Sequence, residues 1–161
     1  MLDLTYSKPN VSESHLKMLA VLGTAVHHGI ATGKMQEELK PYAQAQKKYL
    51  REYDLKSRRR EFIVKSLRYW YAGTADDSLQ DSKGYRVLTD YKSGSFQARY
   101  SAQINLYDMA DAEARGCTHD ILHVVTLNAD GSYKVKEVIK DWGLGIKVVS
   151  KYYESLQGGE G

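Results

Sequence analysis

GTADDSLQDSKGYRVLTDYK, residues 73–92, carries two carboxylates, Asp76 and Asp90, and a lysine, Lys92, two places after the second. Tyr85 to Lys92 is rich in β-branched and aromatic residues and runs into Ser93-Gly94, the pattern of a strand closed by a turn. Side chains alternate faces along a strand, so Asp90 and Lys92 point the same way. The turn signal Asp81-Ser82-Lys83-Gly84 folds the preceding segment back antiparallel and returns Asp76 to the side of Asp90. Two acids and an ammonium group are expected to converge on one spot.

Carboxylates held close repel one another unless a cation neutralises them. Hard oxygen donors suit Mg²⁺ or Mn²⁺, which retain several waters and take phosphate oxygens as further ligands. A lysine beside such an ion can hold the attacking water and stabilise developing charge. The chemistry these residue types point to is metal-dependent phosphodiester hydrolysis. The tripeptide D-x-K alone also describes a surface hairpin with exposed ion pairs.

The wider spacing resembles the active-site hairpin of the PD-(D/E)xK nuclease superfamily, and within it the RecB-like exonuclease branch. The strands there read G-x-x-D, a variable turn, then hydrophobic-D-x-K-[ST]-G. Here they are Gly73-Thr74-Ala75-Asp76 and Val87-Leu88-Thr89-Asp90-Tyr91-Lys92-Ser93-Gly94. Upstream, G-T-x-x-H is matched by Gly23-Thr24-Ala25-Val26-His27, and downstream Q-x-x-x-Y by Gln103-Ile104-Asn105-Leu106-Tyr107. Four motifs in family order span about half the chain. The resemblance implies that Asp76 and Asp90, with the Tyr91 backbone carbonyl, ligate the metal and that Lys92 orients or deprotonates the water. It implies that His27 approaches the metal and that Gln103 and Tyr107 reach the site or the bound strand. Glu61 matches only loosely a glutamate that some members place near the metal. Asp77, the neighbour of Asp76, faces the other side of the strand and is expected to be exposed or to hold a donor behind the site.

Upstream of the hairpin, Met1 to Ser14 reads as a polar arm, followed by a helix from His15 that falters at Gly23 and resumes through Val26, His27 and Ile30. Residues 34–60 carry Met35, Leu39, Tyr42, Ala45 and Tyr49 between charges, the pattern of one or two amphipathic helices with Pro41 in a first turn. From Gln44 to Arg60, seven basic residues (Lys47, Lys48, Arg51, Lys56, Arg58, Arg59, Arg60) face only Glu52 and Asp54. That concentration suits contact with a phosphate backbone. Glu61 to Tyr71 reads as the first strand.

Downstream, Ser95 is expected to cap a helix from about Gln97 to Ala114, stopped by Gly116. Gln103 and Tyr107, four apart, share one face of it. Ile121 to Leu127 and Tyr133 to Ile139 read as strands around the turn Asn128 to Ser132. Asp141 is placed to cap a last helix, and residues 157–161 form a tail. His119 and His123 lack a ligand-spaced partner and read as structural. The expected architecture is α/β, a restriction-endonuclease-like core with a central mixed β-sheet flanked by helices, in a single nuclease domain over 1–161.

The net charge of +3 over 161 residues argues against a globally basic nucleic-acid binder. The single Cys117 excludes an internal disulfide framework and a four-cysteine iron–sulfur cluster of the kind some RecB-like nucleases carry. No apolar run approaches the roughly 18 residues of a membrane span. The expectation is therefore a Mg²⁺-dependent deoxyribonuclease, with Mn²⁺ able to substitute, acting on DNA ends. It is expected in the cytoplasm of a bacterial or phage-infected cell, with a recombination or replication protein as partner. A structure-selective endonuclease using the same site, or a noncatalytic DNA-binding module, are the alternatives.

Overall fold

The computed structural model describes residues 25–28, 30 and 36–158. The expected arm, the helix start at His15, the Gly23-Thr24 pair and residues 159–161 lie outside them. Residues 25–28 and 30 are helical. A short 3-10 turn (Glu37–Leu39) leads into helix α1 (Lys40–Glu52), then strands β1 (Leu55–Ser66), β2 (Tyr71–Asp81) and β3 (Arg86–Lys92). Helix α2 (Arg99–Arg115), strands β4 (Ile121–Leu127) and β5 (Tyr133–Val138) and helix α3 (Trp142–Gln157) complete the order. The five strands form one sheet in chain order, antiparallel except for the parallel pair β3–β4. A parallel pair needs a long crossover, and α2 supplies it. This is the expected mixed sheet flanked by helices.

Local chemistry explains the turns. Asp81 Oδ1 accepts from the backbone N–H groups of Lys83 and Tyr85 at 2.9 Å each, and Gly84 takes the positive φ of 89° that closes β2 onto β3. Gly116, at φ 71°, ends α2 in the left-handed conformation. Asp141 caps α3 through a 3.2 Å bond from Leu144 N–H.

Two apolar layers sandwich the sheet. Tyr42, Ala45 and Tyr49 of α1 pack with Val26 on Leu79, Val87, Tyr91, Val125 and Leu127. On the opposite face, Ile104 and Ala110 of α2 pack on Val64, Ala75, Leu88, Leu122, Val124 and Val138. The alternation along β3 and β4 assigns successive residues to the two layers. α3 lies against α2, and a Cβ on Gly145 would come within 2.8 Å of Leu106, so only glycine permits this approach.

Three sequence expectations are corrected. The first strand starts at Leu55 and ends at Ser66, so Arg58 to Arg60 lie on a strand while Lys47, Lys48 and Arg51 lie on α1. The basic segment is therefore not one continuous helical face. Its arginine run concealed the strand because β1 is an edge, where one side of the ladder meets solvent. Trp70 sits in the β1–β2 turn at φ 55°, and Tyr71 opens β2. The N-cap of α2 is Ala98, with no side-chain capping bond, rather than Ser95.

Among the described residues, no helix is long and apolar enough to cross a membrane.

Candidate active site

The site forms where β2 and β3 part. Their pairing runs from Gln80↔Arg86 to Asp77↔Thr89 and stops, so Asp76 and Asp90 stand at the fork. The Tyr91 N–H, freed from the ladder there, donates to Asp76 Oδ2 at 2.7 Å.

A break in strand alternation on both β1 and β2 opens this fork. On β2, Ala75 packs toward α2, and Ser78, three residues on, also faces α2 through its 2.8 Å contact with His119 Nε2. On β1, Arg59 and Phe62 are likewise three apart and stack on each other at 4.0 Å. Between them Glu61 has φ 45°, a left-handed backbone that costs a non-glycine residue about 1–2 kcal/mol. The register runs through Arg60↔Asp77 and Phe62↔Ala75, which sets Glu61 across from Asp76.

His27 reaches this point from the α1 side. Its Nδ1 lies 3.2 Å from Asp76 Oδ1 and 3.9 Å from Glu61 Oε1. One donor atom each from His27, Glu61 and Asp76 all fall within 4.8 Å of one another. From the α2 side, Lys92 Nζ lies 2.9 Å from Asp90 Oδ2 and donates to Gln103 Oε1 at 3.0 Å. Gln103 Nε2 donates in turn to the Tyr107 hydroxyl at 2.9 Å. Lys92 also sits 4.4 Å from the centre of the Tyr100 ring. The structure thus brings together His27, Glu61, Asp76, Asp90, Lys92, Gln103 and Tyr107.

The electrostatics are those of crowded acids in a partly dry place. Burial pushes the Asp90 carboxyl up, and the negative charge of Asp76 pushes it further. Asp76 is held below the usual carboxylate range: burial opposes this, but the hydrogen bond and charge of His27 outweigh it. Burial lowers His27, yet Asp76, with Asp90 and Glu61, raises it to about 9. Burial and then Asp76 raise Glu61. Asp90 Oδ2 is buried and meets the Lys92 ammonium as an ion pair at 2.9 Å. A donor set of carboxylates and one imidazole, with the buried Asp90 carboxylate beside it, fits a divalent cation.

Asp77 is buried rather than exposed. It points to the α1 side, where it accepts from the Ser57 hydroxyl and from the Tyr91 hydroxyl at 3.0 Å, with Arg60 Nε 3.9 Å away. It thereby fixes the back of the fork. Arg59 is engaged elsewhere: its two terminal nitrogens grip both Asp111 oxygens at 2.9 and 2.6 Å. Arg58 donates to Gln80 at 3.1 Å on the exposed side of β1.

A second polar cluster escaped the sequence reading. Asp108 of α2 accepts from His119 Nδ1 and N–H at 2.9 Å each, from Thr118 at 2.7 Å and from Trp142 Nε1 at 2.9 Å. Asn105 accepts from Asp141 N–H at 2.7 Å and donates to the Ile139 carbonyl at 3.1 Å. The spacing Asn105-x-x-Asp108-x-x-Asp111 on one helix was the available signal. These groups join α2 to the segments before β4 and α3, and Asn105, Asp108 and His119 are buried.

No protein-family profile and no curated protein matches the sequence. Among solved structures, the chain is similar to one from Eubacterium rectale described as a “putative exonuclease”. The TM-score is 0.63 at 10% identity, over 94% of this chain and 68% of that one. At that identity the likeness establishes a shared fold.

Proposed function

We propose that this chain is a metal-dependent deoxyribonuclease of the RecB-like branch of the PD-(D/E)xK superfamily, acting on DNA ends. The observation that carries the proposal is the fork between β2 and β3. Asp76 and Asp90 stand there beside Lys92, with His27 and Glu61 closing one side and Gln103 and Tyr107 the other. The fold shared with a structure described as an exonuclease supports the same reading.

Asp76 and Asp90 would hold the cation, with His27, Glu61 and the Tyr91 carbonyl as further donors. Bound there, a divalent ion would polarise the phosphodiester and lower the pKa of its water. The chain's own groups do the rest. Lys92, oriented by Gln103, is placed to hold the attacking water and to offset the charge that grows on the phosphoryl oxygens. Tyr107 fixes the Gln103 amide, so the Lys92–Gln103–Tyr107 chain is set before substrate arrives. Exposed Lys47, Lys48, Arg51, Arg58 and Arg60 are the candidate contacts to the DNA backbone, whereas Arg59 is held by Asp111.

The test is cleavage of end-labelled linear duplex and single-stranded DNA in Mg²⁺, Mn²⁺ or EDTA, beside a circular single strand. Metal-dependent loss of label from linear DNA with the circle left intact is expected. Cutting of the circle would replace this reading with an endonuclease. Metal-independent binding without cleavage would replace it with a noncatalytic DNA-binding module.

A further inference from the structure

A groove of about 520 Å³ opens beside the Lys92 end of β3, lined by Gly94, Ser95, Phe96, Thr126, Lys134 and Lys136. Register ties it to the site. Lys92 pairs with Thr126 on β4, and Thr126 pairs with Lys134 on β5. In the adjacent row Asp90 pairs with Val124, and Val124 with Lys136. Val124 and Val138 belong to the apolar layer under α2. Alternation therefore sets Lys134 and Lys136 on the same face as Asp90 and Lys92. Strands lie roughly 4.8 Å apart, so two intervals separate the Lys92 and Lys134 backbones by about 10 Å. A stacked strand advances about 3.4 Å per phosphate, so that span covers about three phosphates.

The groove has both parts that a single strand requires. Lys134 and Lys136 are exposed, and among the described residues neither takes part in an ion pair. Phe96 is 38% exposed. Its ring stands edge-on to Tyr100 at 6.0 Å, and Tyr100 in turn lies under Lys92, while Lys136 Nζ is 6.0 Å from the Phe96 ring centre. Aromatic rings interleaved with unpaired cations recognise single-stranded nucleic acid without regard to sequence.

We infer that this groove is a subsite for the single strand that continues from the scissile phosphodiester, with Lys134 and Lys136 on its phosphates and Phe96 stacked on a base. The inference rests on the nuclease reading above and names where its substrate runs. The competing role for two lysines on an edge strand is to block edge-to-edge pairing of copies.

The experiment compares the unmodified protein with K134E/K136E, with Phe96→Ala and with the control K147E/K151E, which makes the same charge change at exposed positions of α3. Binding is read by anisotropy of a labelled ten-nucleotide single strand in EDTA over a range of salt. Turnover with Mg²⁺ is read on that strand and on thymidine 5′-(p-nitrophenyl phosphate), an ester of one nucleotide. We expect K134E/K136E and Phe96→Ala each to weaken binding at least about tenfold relative to the control. The salt slope of K134E/K136E should fall by about 1.4, two phosphates at about 0.7 each. Hydrolysis of the one-nucleotide ester should be unchanged in both. Equal affinity in K134E/K136E and the control overturns the subsite, as does self-association on size exclusion with affinity retained. If the unmodified protein cleaves neither substrate, the nuclease reading fails, and the binding comparison still decides the groove.

Discussion

The Tyr107 ring occupies the space in which a side chain on Gly73 would stand: a Cβ there would lie 2.6 Å from Tyr107 Cε1. The first glycine of the G-x-x-D strand and the tyrosine of the Q-x-x-x-Y helix are thus two halves of one contact. Gly73→Ala should displace the ring and break the Tyr107–Gln103–Lys92 chain. Overpacking of this kind costs about 1–3 kcal/mol. Chemical denaturation should show that loss, with DNA cleavage down at least about tenfold, whereas in a Tyr107→Ala background, where the ring is gone, Gly73→Ala should cost no further stability.

Glu61 should show a trade between stability and function. Its φ of 45° costs about 1–2 kcal/mol, against about 0.5–1 kcal/mol of extra chain entropy for glycine. Glu61 also raises the acid charge beside Asp76. Glu61→Gly should therefore leave the melting temperature unchanged or raise it by a few degrees while lowering metal affinity, measured by titration of Mn²⁺. A fall in both would show that Glu61 holds the strand rather than the ion.

Asp108 should govern acid stability. Four donors hold its carboxyl well below the usual range, although burial alone would raise it. A depressed folded pKa contributes stability above the unfolded value of about 3.9, and the contribution is lost as pH falls below it. Urea midpoints between pH 7 and 3 should decline more steeply for the unmodified protein than for Asp108→Asn. At neutral pH the variant should be less stable by about 3 kcal/mol, because buried donors lose their charged partner.

Gln103 should act through Lys92. Gln103→Ala removes the acceptor that fixes the ammonium, so kcat should fall about tenfold with KM nearly constant. Gln103→Glu keeps an acceptor at that position and should retain more activity than alanine.

How much of this was legible follows from which interactions are local. Asp90 and Lys92 share a face by strand alternation, and the Asp81-to-Gly84 turn brings Asp76 back by a signal of four residues. The break in alternation at Glu61 and Asp76 was not legible, because it is imposed by the packing of β1 and β2 against both layers and contradicts the period that strand reading relies on. Arg58 to Arg60 misled for a related reason: an edge strand tolerates charges that suit a helix surface as well. The Asp108 cluster was hidden in an alanine-rich helix, because Asp108 finds its partners ten to thirty-four residues away.

The most direct test of the central claim is Lys92→Ala assayed for Mg²⁺-dependent release of end label from linear DNA, with thermal unfolding measured on the same preparation. The account predicts a protein that unfolds as the unmodified chain does and releases no label. Label release at the unmodified rate from a folded Lys92→Ala protein would contradict it.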